Sequence, residues 1–165
     1  MEANDLVALF CENARKVDAG VTVVDSLDEA ARTIENIVKE SDKVYAPRLT
    51  PRERDLKLPE SLLTTDYHQA TVTVEEAAAA IAETGSIVCW SKEGRPVQAS
   101  VLCARHVVIL GRENIFADLD AFFHRLGSDV PTNMTFITGP SRTADIELTL
   151  TTGVHGPEFV DIVIV

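Results

Sequence analysis

Thr138-Gly-Pro-Ser-Arg-Thr-Ala-Asp-Ile-Glu147 is the stretch on which the fold of this chain turns. A β-branched, apolar run over residues 134–138 stops at Gly139-Pro140. Two hydroxyls, an arginine and two carboxylates follow, and they predict a helix over about residues 143–151. Strand, tight turn and helix N-terminus in that order mark an anion site in many α/β proteins. The first helical N–H groups are unpaired there, and the positive end of the dipole faces the ligand. A second dense segment, Gly153-Val-His-Gly-Pro157, comes next, and an apolar run closes the chain at Val165. Two Gly/Pro-punctuated loops so close together suggest a shaped site rather than plain connectors.

Working outward, short apolar strands alternate with helices. Residues 5–17 carry Leu6, Leu9, Phe10 and Ala14 at helical spacing. Residues 21–24 read as a strand, and Ser26 caps a helix over residues 27–40 with Glu29 at its third position. Further strands are expected at 43–46, 86–91, 97–102, 106–110 and 159–165. Thr73-x-x-Glu76 reads as a capping box for an alanine-rich helix over residues 75–82, and an amphipathic helix opens at Asn114 with Ile115, Leu119, Phe122, Phe123 and Leu126 on one face. Residues 47–69 break the pattern, with room for one short helix near 59–63. Arg48, Arg52, Arg54 and Lys57 make this segment the densest basic patch, either a solvated loop or a flap over a ligand. Together these elements predict an α/β fold, a single domain over residues 1–165 built on a parallel or mixed sheet covered on both faces. Ligands in such folds sit beyond the carboxyl ends of the strands.

A chain of 165 residues buries a core without staples. Its net charge of -11 argues against nucleic acid and anionic membrane as partners, since both need a basic face. No apolar run reaches the roughly 20 residues of a membrane span, and the acidic start lacks the features of a signal peptide, so a cytoplasmic protein is expected. The three cysteines, Cys11, Cys89 and Cys103, are far apart with no C-x-x-C, which leaves no iron–sulfur or zinc-knuckle motif. Cys89 and Cys103 lie in apolar runs as small buried hydrophobes. His68, His106 and His124 show no metal-site spacing.

Ala82-Glu-Thr-Gly85, the long stretch from Gly139 to Glu147 and Gly153-Val-His-Gly-Pro157, in that order, resemble the lactate-utilization (LUD) domain family in its short LutC/YkgG-type members. The resemblance covers about residues 70–165. It implies an open Rossmann-like, mostly parallel sheet with helices on both faces, similar to the NagB/RpiA/CoA-transferase-like fold. It further implies a subunit of the system that oxidises L-lactate to pyruvate, with iron–sulfur clusters on partner subunits and no cofactor in this chain. The middle motif departs from the family's L-P-x-x-H, because Leu102-Cys-Ala-Arg-His106 puts Cys103 where proline is expected.

Within these motifs, Ser141, Arg142 and Thr143, with the Gly139-Pro140 turn, are the candidate cradle for a small carboxylate or a phosphate-bearing ligand. Arginine offers a planar fork, and hydroxyls and backbone N–H groups complete the cradle. The alternative is that Ser141 or Thr143 only caps the helix while Arg142 pairs with Asp145 or a neighbouring carboxylate. Asp145 and Glu147 suit a helix start but weaken a polyanion site, which favours a monoanion. His155, beside Gly156, is either a proton acceptor for the lactate hydroxyl or a loop histidine bonded to backbone. Glu83, before Thr84-Gly85, resembles the nucleophilic glutamate of CoA transferases, giving a stand-alone transferase or sugar-phosphate enzyme as one alternative. The plainer reading is a helix-ending glutamate that bonds backbone amides in the turn. A ligand-free scaffold for iron–sulfur partners is a further alternative.

Overall fold

The computed structural model describes residues 3–41, 43–144, 150–152 and 156–165, with the backbone alone at 3, 143–144 and 150–152. The first half of the chain runs α1 (Ala3–Lys16), β1 (Gly20–Val23), α2 (Leu27–Val38), β2 (Val44–Tyr45), α3 (Pro51–Asp55), β3 (Leu63–Thr64), β4 (Val72–Glu76) and β5 (Ala79–Ile81). The second half runs β6 (Ser86–Trp90), α4 (Ala99–Leu102), β7 (Arg105–Leu110), β8 (Ile115–Phe116), α5 (Leu119–Leu126), β9 (Met134–Ile137), β10 (Arg142–Ala144), β11 (Leu150–Thr152) and β12 (Phe159–Ile164).

Six strands form a parallel sheet in the order β1-β12-β7-β4-β2-β3. Its central strands are β-branched and buried on both faces, as a covered parallel sheet requires. One face packs on α2, where Ala30, Ile34 and Val38 meet Val107, Ile109 and Val163. Ser26 starts that helix as the sequence predicts, its hydroxyl accepting from the Glu29 N–H at 3.2 Å. The other face packs on α1 through Phe10 and Ala14, and on a second, four-stranded sheet ordered β8-β5-β6-β9. Helix α5 covers the far side of that second sheet through Phe122. The α/β class, the parallel sheet and its two-sided cover are therefore as expected, and the second sheet is the addition.

Four local expectations are corrected. Residues 75–82 are not a helix; they finish β4 and form β5. Ala79 and Ile81 pack toward α5 and Ala80 toward α1, so alanines buried on both faces of a thin sheet override helix propensity. Residues 97–102 are not a strand but carry α4, closed by Leu102 N–H to the Gln98 carbonyl at 3.0 Å. The helix expected from Asn114 starts later. Ile115–Phe116 pairs with β5, and Asp118 caps α5 by accepting from Ala121 N–H at 2.7 Å. Among the described residues no helix follows Gly139-Pro140. Arg142, Thr143 and Ala144 pair antiparallel with Thr152, Thr151 and Leu150. Threonines on facing strands favour that hairpin.

In residues 47–69, Thr50-Pro-Arg-Glu53 forms a true capping box, which builds α3 at a place the sequence reading left irregular. A short 3-10 turn at Glu60–Leu62 meets the expectation near 59–63. Cys103, at the expected proline, has φ -76°, within proline's own range, so the turn after α4 keeps its course without proline.

Candidate functional site

The connection from β2 runs outward to β3, while β4 leads inward to β7. Strand order within the parallel sheet thus reverses between β2 and β4, with β7 reached by way of β5 and β6 of the second sheet, and such a switch point is where open α/β sheets hold their ligands. A cleft of about 410 Å³ opens there, lined by Thr50, Glu76, Trp90, Lys92, Arg95 and Asn114. A smaller one of about 270 Å³ shares Ala78, Trp90 and Asn114 with it and continues over Phe116 and Phe122. One end is therefore polar and the other aromatic. Arg52 of α3 reaches this rim, bonding Glu76 at 2.7 Å and Glu113 at 2.6 Å.

The floor is a set of buried charges joined by hydrogen bonds. Arg95 bonds Glu53 Oε1 at 2.6 Å and Glu75 Oε2 at 2.9 Å. The α3 capping box fixes Glu53, whose Oε2 accepts from Leu49 N–H, while its Oε1 also accepts from Glu76 N–H at 2.7 Å. Glu75 Oε1 takes His106 Nε2 at 2.8 Å and the Ser100 hydroxyl. Burial alone would push the Glu75 carboxyl up; the hydrogen bond and charge of His106, then Arg95 and Ser100, reverse this and hold it at about 2. A carboxylate so held only accepts, so His106 donates from Nε2, and Nδ1 remains buried without a partner. The sequence reading missed Glu53, Glu75, Arg95 and Ser100 and set His106 aside. The available signal was Glu75 and His106 standing inside runs that read as buried strand.

The motif residues gather elsewhere. Thr84 and Thr138 are joined through Ser86, each hydroxyl pair at 2.7 Å. Gly85 (φ 67°) and Gly139 (φ 72°) both press on the end of α1. A Cβ on Gly85 would lie 2.3 Å from Ala14 N, and one on Gly139 would lie 2.1 Å from Val17 O. Ser141 N–H donates to Pro157 O at 2.8 Å, and Gly156 abuts the Ser141 side chain. Pro140 and Arg142 line a separate cleft of about 350 Å³ with Asp18, Glu158 and Asp161. Arg142 pairs with Asp18, the neighbouring-carboxylate alternative. With a hairpin in place of the helix, the helix-dipole part of the anion argument lapses here.

Glu83 is exposed and its carbonyl accepts from Asn13 Nδ2 at 3.1 Å. Thr143 lies in β10 opposite Thr151. Asp145, Glu147 and His155 lie outside the described residues. None of the placed motif residues lines the switch-point cleft.

The LUD domain family matches residues 60–165, and the chain belongs to that family. It is similar to proteins named lactate utilization protein C. That of Geobacillus sp. (strain WCH70) is 35% identical over 56% of this chain and 41% of its own length. That of Halalkalibacterium halodurans is 27% identical over 94% of this chain and 76% of its own. The chain thus spans about two fifths of the first relative's length and about three quarters of the second's. The crystal structure of a DUF162 family protein from Deinococcus radiodurans superposes with a TM-score of 0.77 over 99% of this chain and 98% of that one, at 16% identity. That likeness carries the fold.

Proposed function

We propose that the chain is a ligand-binding subunit of L-lactate utilization. It holds a small carboxylate of the lactate–pyruvate class in the switch-point cleft while iron–sulfur partner subunits carry the electrons. The observation that carries this reading is the cleft itself, at the carboxyl ends of β2 and β4 with Lys92, Arg95 and Asn114 as donors, in a chain whose relatives bear the lactate-utilization name. Arg95 is held by two carboxylates and Lys92 pairs with Asp129, so the rim has little positive charge to spare. That balance suits a monoanion better than a polyphosphate. The three cysteines are free and buried, which supports a reading in which partners carry the clusters.

Trp90 is the sole tryptophan and lines the cleft, so its fluorescence is the direct probe. Titration with L-lactate and pyruvate is expected to give a saturable change that Lys92→Ala and Asn114→Ala weaken and Arg142→Ala leaves intact. A change abolished by Arg142→Ala alone moves the site to the Gly139 loop. Lactate oxidation by the isolated chain with an artificial electron acceptor overturns the accessory role.

A further inference from the structure

Beneath the cleft, three side chains of metal-ligand type converge from strands far apart in sequence. Glu75 comes from β4 and His106 from β7, both in the parallel sheet, and Cys89 comes from β6 in the second sheet. One ligand atom from each lies within 4.8 Å of the others. All three are closed from solvent, at 1%, 0% and 1% exposure. We propose that Glu75, Cys89 and His106 form a structural zinc site that clamps the second sheet to the parallel sheet.

The donor set selects the ion. A thiolate, an imidazole and a carboxylate suit zinc, whereas magnesium and calcium take all-oxygen sites. The charge balance agrees. Two buried carboxylates, Glu53 and Glu75, face a single guanidinium, Arg95, so one more positive charge is needed. A divalent cation with a thiolate supplies that charge and leaves the imidazole neutral. Glu75 divides its oxygens accordingly. Oε2 keeps Arg95 at 2.9 Å, while Oε1, shared by His106 and Ser100, is the one turned from the guanidinium. Binding releases one proton: Cys89–SH and Zn2+ give the zinc thiolate and H+, with no change of oxidation state. Burial otherwise keeps that thiol protonated, and coordination reverses this. Since the ligands are enclosed, the ion enters as the chain folds.

The test is elemental analysis of the purified chain, followed by unfolding and refolding under reducing conditions with Zn2+ or Co2+ and removal of the excess. About one metal per chain is expected. The cobalt form should show a thiolate-to-cobalt charge-transfer band that Cys11→Ala and Cys103→Ala retain. Cys89→Ala should lose the band, and Cys89→Ser should lose it with less disturbance of packing. Refolding with zinc should give a higher Tm than refolding with chelator. A wild-type chain that refolds with cobalt present yet shows no band and keeps no metal overturns the proposal, as does a band that survives loss of Cys89.

Discussion

Two carboxylates show how differently the two clefted regions are built. Glu75, in the floor of the switch-point cleft, is wholly buried and both its oxygens are matched by donors, so it stays ionised down to about pH 2. Asp161, in the cleft beside Arg142, is pushed the other way. Burial raises its pKa, and Arg105, at 3.4 Å, only partly opposes this. Its Oδ2 is buried with no hydrogen bond. The first region has charges fixed by three elements at once, since Glu53, Glu75 and Arg95 come from α3, β4 and the loop before α4. The second rests on half-exposed pairs at the chain's surface. A preorganised field belongs to the first, even though the recognisable motif belongs to the second.

The largest effect expected from breaking this contrast is at Arg95. Arg95→Met removes the guanidinium that Glu53 and Glu75 share, which should cost about 3–5 kcal/mol in urea unfolding. A loss no greater than that of a surface substitution would mean the floor is not a joined charge set.

Acid gives the next effect, and the two carboxylates have opposite signs. The folded pKa of Glu75 lies below its ordinary 4.5, so its contribution is complete above that pH and disappears as pH falls toward about 2. About 3 kcal/mol is at stake. The folded pKa of Asp161 lies above its ordinary 3.8, so its contribution is present below that pH and lost as pH rises through the folded value. Stability followed from pH 6 to pH 2 should therefore fall steeply in the wild type and much less in Glu75→Gln, measured against that variant's own neutral value. Equal slopes in the two proteins would refute the assignment.

The contrast also explains what the sequence disclosed. The parallel strands were legible because runs such as Val107–Leu110 are buried on both faces, and α2 was legible from Ser26 and its apolar spacing. The same capping pattern was misleading at Thr73, flanked by Val72 and Val74 in a central strand, and true at Thr50, where proline opens α3. Sheet pairing overrode it in one place and nothing competed in the other. The alanine run has helical composition, and only its position between α1 and α5 makes it a strand. Two of the motif glycines, Gly85 and Gly139, have positive φ and admit the end of α1, a packing role that spacing along the chain does not show. The cleft floor was hidden because Glu75 and His106 are 31 residues apart and meet only once β4 and β7 pair. Spacing along the chain carries no trace of that.

Gly139→Ala tests the packing role assigned to the motif turn. The substitution forces a side chain into a left-handed backbone and against Val17 O, so a loss of about 1–3 kcal/mol is expected, with no change in the ligand response of Trp90. Loss of that response in a protein still folded would tie the turn to the binding site and collapse the distinction between the two regions.

The smallest effects are expected at the half-exposed pairs. Arg142→Ala removes a pair whose partners remain largely open to water, at 40% and 71% side-chain exposure, and should cost about 0.2–1 kcal/mol that added salt reduces further. Asp161→Asn replaces a charge that folding disfavours by a neutral amide, so near neutral pH it should be neutral or slightly stabilising, within about 1 kcal/mol. Thermal unfolding at pH 7 and low salt checks both. If Asp161→Asn instead lost several kcal/mol, the Asp161–Arg105 pair would outweigh the cost of burying the carboxylate. The surface cleft would then be a charge-paired site of the same kind as the floor beneath β4.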